Sequence, residues 1–242
     1  VSVPVSAHAS APEIILSAPA NLRDLGGIAI DGGTLTERLA IRTDDLSIVT
    51  PEYAATLVAG GLTAIIDLRS TAEVATTGRG RLGDLAVTYH HIPLMVDIGE
   101  SMGEAKNASA AAPKFSHEIM GHSYIGMVEN AAPQLVTALN IIAFDPGAAA
   151  FHCSAGRDRT GVLAAMLLLA LGASDDDIIA DYGRTGPNMS GVGQRTRSVM
   201  RPLLLRLGFD IDAMQSMGLE GTGMEVSMEM LIAHLRETYG DP

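Results

Sequence analysis

Residues 147–171 constrain this chain more than any other stretch. A short apolar run, Gly147-Ala-Ala-Ala-Phe151, leads into the polar decapeptide His152-Cys-Ser-Ala-Gly-Arg-Asp-Arg-Thr-Gly161, and an Ala- and Leu-rich segment runs on from Thr160 to Leu171. The first run suits a buried strand and the last is long enough for a buried helix. The decapeptide is therefore expected to be the hinge of a strand–loop–helix unit. It holds the chain's only cysteine, and five residues separate Cys153 from Arg159. At that spacing a loop can curl until its N–H groups, a thiolate and a guanidinium surround one tetrahedral oxyanion. N–H groups at the start of the helix lack partners within it and carry its positive dipole end, which favours an anion there, a cysteine thiolate included. The expected bound group is phosphate, cradled by Ser154, Ala155, Gly156, Arg157, Asp158 and Arg159. Gly156 gives the loop a position free of a Cβ, Gly161 lets the helix approach neighbouring backbone, and Thr160 is placed to hydrogen-bond the Cys153 sulfur. A free cysteine is more commonly a small buried hydrophobe. The charged pair Arg157 and Arg159 beside Cys153 argues against that reading.

The remaining pattern predicts an α/β fold, in which a central, mostly parallel sheet is flanked by helices. Thr50-Pro51 starts a helix that Gly60-Gly61 stops. Leu62 to Leu68 reads as a buried strand, and Val87 to Leu94 as another, ended by Pro93. Tyr124 to Phe144 is helical in composition, with Pro133 as a kink or break. Ser174 caps a helix whose first turn holds Asp175, Asp176 and Asp177; consecutive helical positions do not face one another, so these acids read as helix chemistry rather than metal ligands. Met214, Met217, Met224, Met228 and Met230 read as flexible core packing, with a partner-binding surface as the other reading. His90 and His91 close a strand and point to opposite faces, so neither looks catalytic.

The loop resembles the active-site loop of the cysteine-dependent protein tyrosine phosphatase superfamily, through His152, Cys153, Gly156, Arg159, Thr160 and Gly161. Three upstream segments narrow the resemblance: Asn21-Leu-Arg-Asp-Leu-Gly-Gly27, Arg42-Thr-Asp-Asp-Leu-Ser47, and Ile66-Asp-Leu-Arg-Ser70 with Glu73. Together they are similar to a bacterial tyrosine phosphatase group with secreted mycobacterial members, from about residue 20 to Asp181-Tyr182. The resemblance implies a phosphatase-like domain, loop support from His152, and action on phosphotyrosine, extending in some members to phosphoserine, phosphothreonine and phosphoinositides. It also implies that the insertion at 97–123, which is irregular and rich in small residues, covers the site as a helical lid; a plain surface excursion is the other reading. The group usually has Lys where this chain has Arg157, which replaces a point charge by a planar fork.

The implied reaction has two steps. Cys153 attacks phosphorus while Arg159 and the loop amides hold the equatorial oxygens, and water then hydrolyses the phosphocysteine. A general acid must protonate the leaving oxygen. Asp158, inside the loop, is preferred; Asp97, after the segment that Pro93 opens, is the alternative. Asp24, Arg23, Asp67 and Arg69 either border the substrate or tie the sheet together by salt bridges, the structural role being preferred, and Tyr182 is expected to sit beneath the loop with its hydroxyl hydrogen-bonded. A silent phosphate-binding scaffold and a sulfurtransferase are the competing classes.

Composition bounds the rest. With 242 residues, 47% of them hydrophobic, the chain can bury a sizeable core, so residues 13–242 are expected to form one domain behind a disordered or processed segment at 1–12. A net charge of −12 disfavours nucleic acid and anionic membranes as general partners, so attraction for phosphate has to be local. One cysteine allows no internal disulfide, no metal or cofactor is implied, and no apolar run is long enough to span a membrane. The expected partners are a phosphorylated protein or phosphoinositide substrate, with inorganic phosphate as product. A soluble protein, cytoplasmic or exported, is expected.

Overall fold

The computed structural model describes residues 14–94, 116–206 and 223–240. In chain order the elements are β1 (Arg23–Asp24), β2 (Ala29–Ile30), β3 (Gly33–Thr34), β4 (Ala40–Thr43), α1 (Pro51–Ala59), β5 (Leu62–Asp67), α2 (Thr71–Thr77), β6 (Thr88–His91), α3 (His117–Asn130), α4 (Ala132–Phe144), β7 (Ala148–His152), α5 (Asp158–Ala170), α6 (Asp175–Gly183), α7 (Met189–Arg206) and α8 (Glu225–Tyr239). Short 3-10 turns at Leu46–Ile48, Gly80–Asp84 and Gly186–Asn188 join some of them. Among the described residues no helix is long and apolar enough to cross a membrane.

One five-stranded sheet runs β1-β4-β7-β5-β6, with a separate β2-β3 hairpin. Only β1 is antiparallel to its neighbour; β4, β7, β5 and β6 are parallel. The fold is therefore the expected α/β type with a mostly parallel sheet. Side chains alternate along its central strands. Ala149 and Phe151 of β7, with Ala64 and Ile66 of β5, join the large core beneath α3, α4, α5, α6 and α8. Ala150 and Ile65 point the other way, into a smaller cluster with Leu46, Val49, Ala54 and Leu82. Helices on both faces explain why β7 is buried along its whole length and reads as a continuous apolar run.

Local signals account for most element ends. The Thr50 side chain caps α1 by accepting from Tyr53 N–H, with Pro51 in the first turn, and the Ser174 side chain caps α6 by accepting from Asp177 N–H. The helical segment of residues 124–144 is broken at Ala131, and Pro133 lies in the first turn of α4, where its missing N–H costs nothing. That first helix begins seven residues earlier than Tyr124, at His117, because Ser116 caps it by accepting from Ile119 N–H. Thus 116–123 of the expected insertion is the cap and start of α3, while 97–115, including Asp97, lies outside the described residues. Met224 and Met228 are fully buried and Met230 half-buried; Met214 and Met217 lie outside the described residues.

Buried ions lock the sheet to the helices. Arg23 Nε lies 2.7 Å from Asp181 Oδ1, and Arg42 NH1 lies 2.5 Å from Asp181 Oδ2, all three residues being buried. Burial, and then the Arg42 cation, lower Arg23 to about 10, with Asp181 acting the other way. Replacing Asp181 by Ala leaves two buried guanidinium groups short of their shared anion, so it should destabilise the fold by about 3–5 kcal/mol. Urea unfolding midpoints measure this; a loss below about 1 kcal/mol, the size of an exposed pair, would contradict it.

Candidate active site

Insertion of β7 between β4 and β5 puts three strand ends in register, Thr43 and Asp67 each opposite His152. The loop that leaves β7 therefore emerges at the carboxyl edge of the sheet, where open parallel sheets bind ligands. Its carbonyl groups all turn outward. Ser154 O accepts from Asp45 N–H at 3.3 Å, and the Asn21 side-chain amide donates to Gly156 O at 3.1 Å and to Ala155 O at 3.4 Å. Arg42 adds a second bond to Gly156 O at 3.1 Å, and Gly161 N–H donates to Arg157 O at 2.8 Å. The loop's own N–H groups are left over: those of residues 154–157 meet no acceptor among the described residues. The next two, Asp158 and Arg159, are the first helical positions of α5, which have none within the helix. A ring of donors thus follows directly on Cys153, which is buried and free. This is the geometry of an oxyanion nest.

Gly156 makes the turn possible. Its φ is +66°, and a Cβ there would stand 2.6 Å from the Asp44 amide nitrogen and the Thr43 carbonyl. Gly161 has a different reason from the one expected: a Cβ there would come within 2.9 Å of the Tyr182 ring, so it is an aromatic ring, not backbone, that packs against the helix.

The Arg159 guanidinium is clamped by Glu73 of α2. NH1 donates to Oε2 at 2.5 Å and NH2 to Oε1 at 2.9 Å, a bidentate pair that fixes the plane of the fork. The Ser154 hydroxyl donates to the same Oε1. Glu73 Oε2 also accepts from Ser70 N–H at 2.7 Å while Ser70 Oγ accepts from Glu73 N–H, so one carboxylate completes a capping box and anchors the loop cation. Burial alone would raise Glu73, but Arg159, then Ser154 and the Ser70 amide, hold it down at about 2. Burial likewise works against Arg159, yet Glu73 and then Cys153 keep it firmly charged.

His152 is buried, with Nδ1 3.2 Å from Cys153 O and Nε2 3.6 Å from Asp67 Oδ2. Burial lowers it, which favours the neutral ring, although Asp67 and Asp45 act the other way. Asp67 accepts in turn from Arg69, two residues on, at 2.6 Å and from the Tyr89 hydroxyl of the neighbouring strand β6 at 2.7 Å, so the Asp67–Arg69 pair is local and it is Tyr89 that ties Asp67 across the sheet. Asp158 Oδ1 accepts from the Tyr124 hydroxyl, and its side chain stays 28% exposed. Tyr182 is buried, and its hydroxyl lies 2.6 Å from that of Tyr124, beneath the loop as expected. Arg157 turns from the loop toward Tyr182, Asp158 and His117, each about 3.5 Å away. Thr160 Oγ1 is buried without a hydrogen-bond partner, so the expected bond to the Cys153 sulfur is not made.

The loop thus brings the Cys153 thiol, the N–H groups that follow it and the Arg159 guanidinium together, whereas the Arg157 side chain turns away and His152 faces Asp67. Residue-level reading missed the work of Glu73, Asn21, Arg42 and Tyr124. The pattern Ser70-x-x-Glu73 is a capping-box signal and could have placed Glu73 at a helix start, though not against Arg159. Glu73 sets a pH dependence. Its folded carboxyl is depressed from 4.5 to about 2, so its stabilisation is complete above about pH 4.5 and is lost as pH falls from there toward 2. The depression corresponds to on the order of 3 kcal/mol. Between about pH 5 and pH 3 the wild type should lose urea stability more steeply than Glu73→Gln; parallel losses would contradict the assignment.

The chain is similar to several bacterial proteins. A tyrosine-protein phosphatase of Nostoc commune is 30% identical over 152 residues, 62% of this chain but only 49% of that protein, so the chain spans about half of its length. The triple specificity protein phosphatase PtpB of Mycobacterium tuberculosis is 27% identical over 203 residues, covering 75% of this chain and 72% of PtpB. A protein of Cupriavidus necator aligns over 97% of this chain and 95% of its own length at 28% identity. The description of the tyrosine phosphatase family matches continuously from residue 14 to residue 242, through every element that builds the loop and its supports, and the chain belongs to that family of protein-tyrosine phosphatases.

Proposed function

We propose that the chain, acting as one catalytic domain over residues 13–242, hydrolyses phosphomonoesters of tyrosine through a phosphocysteine on Cys153. The observation that carries this is the loop itself: every carbonyl from Ser154 to Arg157 is bonded outward, and the N–H groups that follow Cys153 meet no acceptor among the described residues. Such a nest suits the three equatorial oxygens of a transferring phosphoryl group, where preorganised donors cost no reorganisation. The sulfur lone pair forms the S–P bond as the P–O bond to the leaving group breaks, and that oxygen takes a proton from a general acid. Water then attacks phosphorus, loses a proton to the same group, and releases phosphate with the thiolate restored. Glu73 takes one N–H from each of the Arg159 NH1 and NH2 groups and so orients the guanidinium, whose remaining N–H groups hold two of the oxygens.

Asp158 is the general acid in this reading, since it stands at the loop's exit with a carboxylate partly open to solvent. The proposed activity extends to phosphoserine, phosphothreonine and phosphoinositides; the similarity to PtpB, a triple specificity protein phosphatase, supports more than one substrate class but names none of them.

Turnover of chromogenic aryl phosphates tests the proposal. Cys153→Ser should abolish phosphate release while vanadate still binds, and Arg159→Lys should lower kcat/KM by about a hundredfold or more. Binding without turnover by the wild type would indicate a scaffold, and robust sulfur transfer from thiosulfate without phosphate release would overturn the reading. Asp158→Asn should slow a poor leaving group by roughly a hundredfold and a good one far less. Loss of acid dependence in Asp97→Asn alone would reassign the acid.

A further inference from the structure

Asp158 is not left to find its own orientation. Tyr124 on α3 and Tyr182 on α6 are both buried, and their rings meet edge to face, with centroids 6.1 Å apart and planes 77° apart. Their hydroxyls stand 2.6 Å apart, and Tyr124 bonds Asp158 Oδ1. Arg157 Nε lies 3.5 Å from the Tyr182 hydroxyl and 3.5 Å from Asp158 Oδ1. Donor counting sets the direction of every bond. Each tyrosine has one proton, and Asp158 Oδ1 accepts whether the carboxyl is ionised or carries its proton on Oδ2, so Tyr124 donates to Asp158, Tyr182 must donate to Tyr124, and the Tyr182 oxygen takes the N–H of Arg157. The chain Arg157→Tyr182→Tyr124→Asp158 is polarised end to end, with a cation at one end and an anion at the other. Gly161 is the gap in α5 through which the Tyr182 ring comes close enough to join it.

We propose that Tyr124, backed by Tyr182, is a positioning residue for the general acid: it holds Asp158 Oδ1 so that the carboxylate's other oxygen is presented to the leaving group. The inference rests on the reading of Asp158 as that acid. Four elements meet at this carboxylate: the loop with Arg157, α5 with Arg159, α3 with Tyr124 and α6 with Tyr182; His117 of α3 lies 3.5 Å from Arg157. Of the groups bonded to it, Tyr124 is a neutral donor, so its hydroxyl can be deleted without altering the site's charge.

The test is Tyr124→Phe, assayed on aryl phosphates of graded leaving-group quality beside Asp158→Asn and the double variant. With a poor leaving group kcat should fall about tenfold, with KM little changed and a good leaving group nearly unaffected. The double variant should be no slower than Asp158→Asn alone. If Asp158→Asn keeps the wild-type leaving-group dependence, the acid assignment fails. If Asp158→Asn loses it while Tyr124→Phe retains it, or if Tyr124→Phe slows all leaving groups equally and adds to Asp158→Asn, the positioning role alone is wrong. Tyr182→Phe, one link further back, should show a smaller loss of the same kind. Should Tyr124→Phe fail to fold, an unchanged leaving-group dependence in Tyr182→Phe overturns the inference.

Discussion

The architecture depends on keeping one short loop turned inside out, its carbonyl groups facing protein and its N–H groups facing an open cradle. No helix or strand does this by itself, because both satisfy donors and acceptors together. Here the acceptors are satisfied from outside by Asn21, Arg42 and the Asp45 amide, and each supplier is itself held. Arg42 is pinned by Asp181, which also takes Arg23, and Asn21 accepts from Arg23 at 2.8 Å. The loop's shape is thus inherited from a buried ionic cluster joining β1, β4 and α6. The Asp44 backbone closes it further, leaving room only for glycine at position 156.

Charge follows the same logic. The chain carries a net −12, yet Arg23, Arg42, Arg157 and Arg159 are buried around one loop. Left unpaired they would be prohibitively costly to bury; paired with Asp181, Asp158 and Glu73 they become fixed donors rather than a diffuse positive field. Attraction for an oxyanion is consequently a property of the cradle and not of the surface. Arg157 shows how far this goes: a residue that reads as a second phosphate-binding charge spends its fork on Asp158, Tyr182 and His117.

Much of this was legible before any coordinates, and the reasons are physical. The strand, loop and helix at 147–171 are local in sequence, so periodicity, spacing and a single cysteine were enough to place Cys153 and Arg159. The parallel sheet followed from apolar runs alternating with capped helices. What escaped was long-range. Glu73 reaches Arg159 across 86 residues of chain, Asn21 reaches Gly156 across 135, and Tyr124 reaches Asp158 across 34. Their motifs were visible, but no local rule says which buried donor meets which acceptor. Two local readings also shifted once packing was seen. Gly161 makes room for a ring rather than for backbone, and Thr160 leaves the cysteine sulfur unbonded.

Whether the cradle works as a covalent catalyst is settled most directly by rapid-quench intact-mass and peptide analysis during turnover of an aryl phosphate with a good leaving group. A single phosphoryl adduct confined to the peptide carrying Cys153, forming and decaying at rates consistent with turnover, is the expected result. Full turnover with no adduct on that peptide, or with the adduct on another residue, would contradict it.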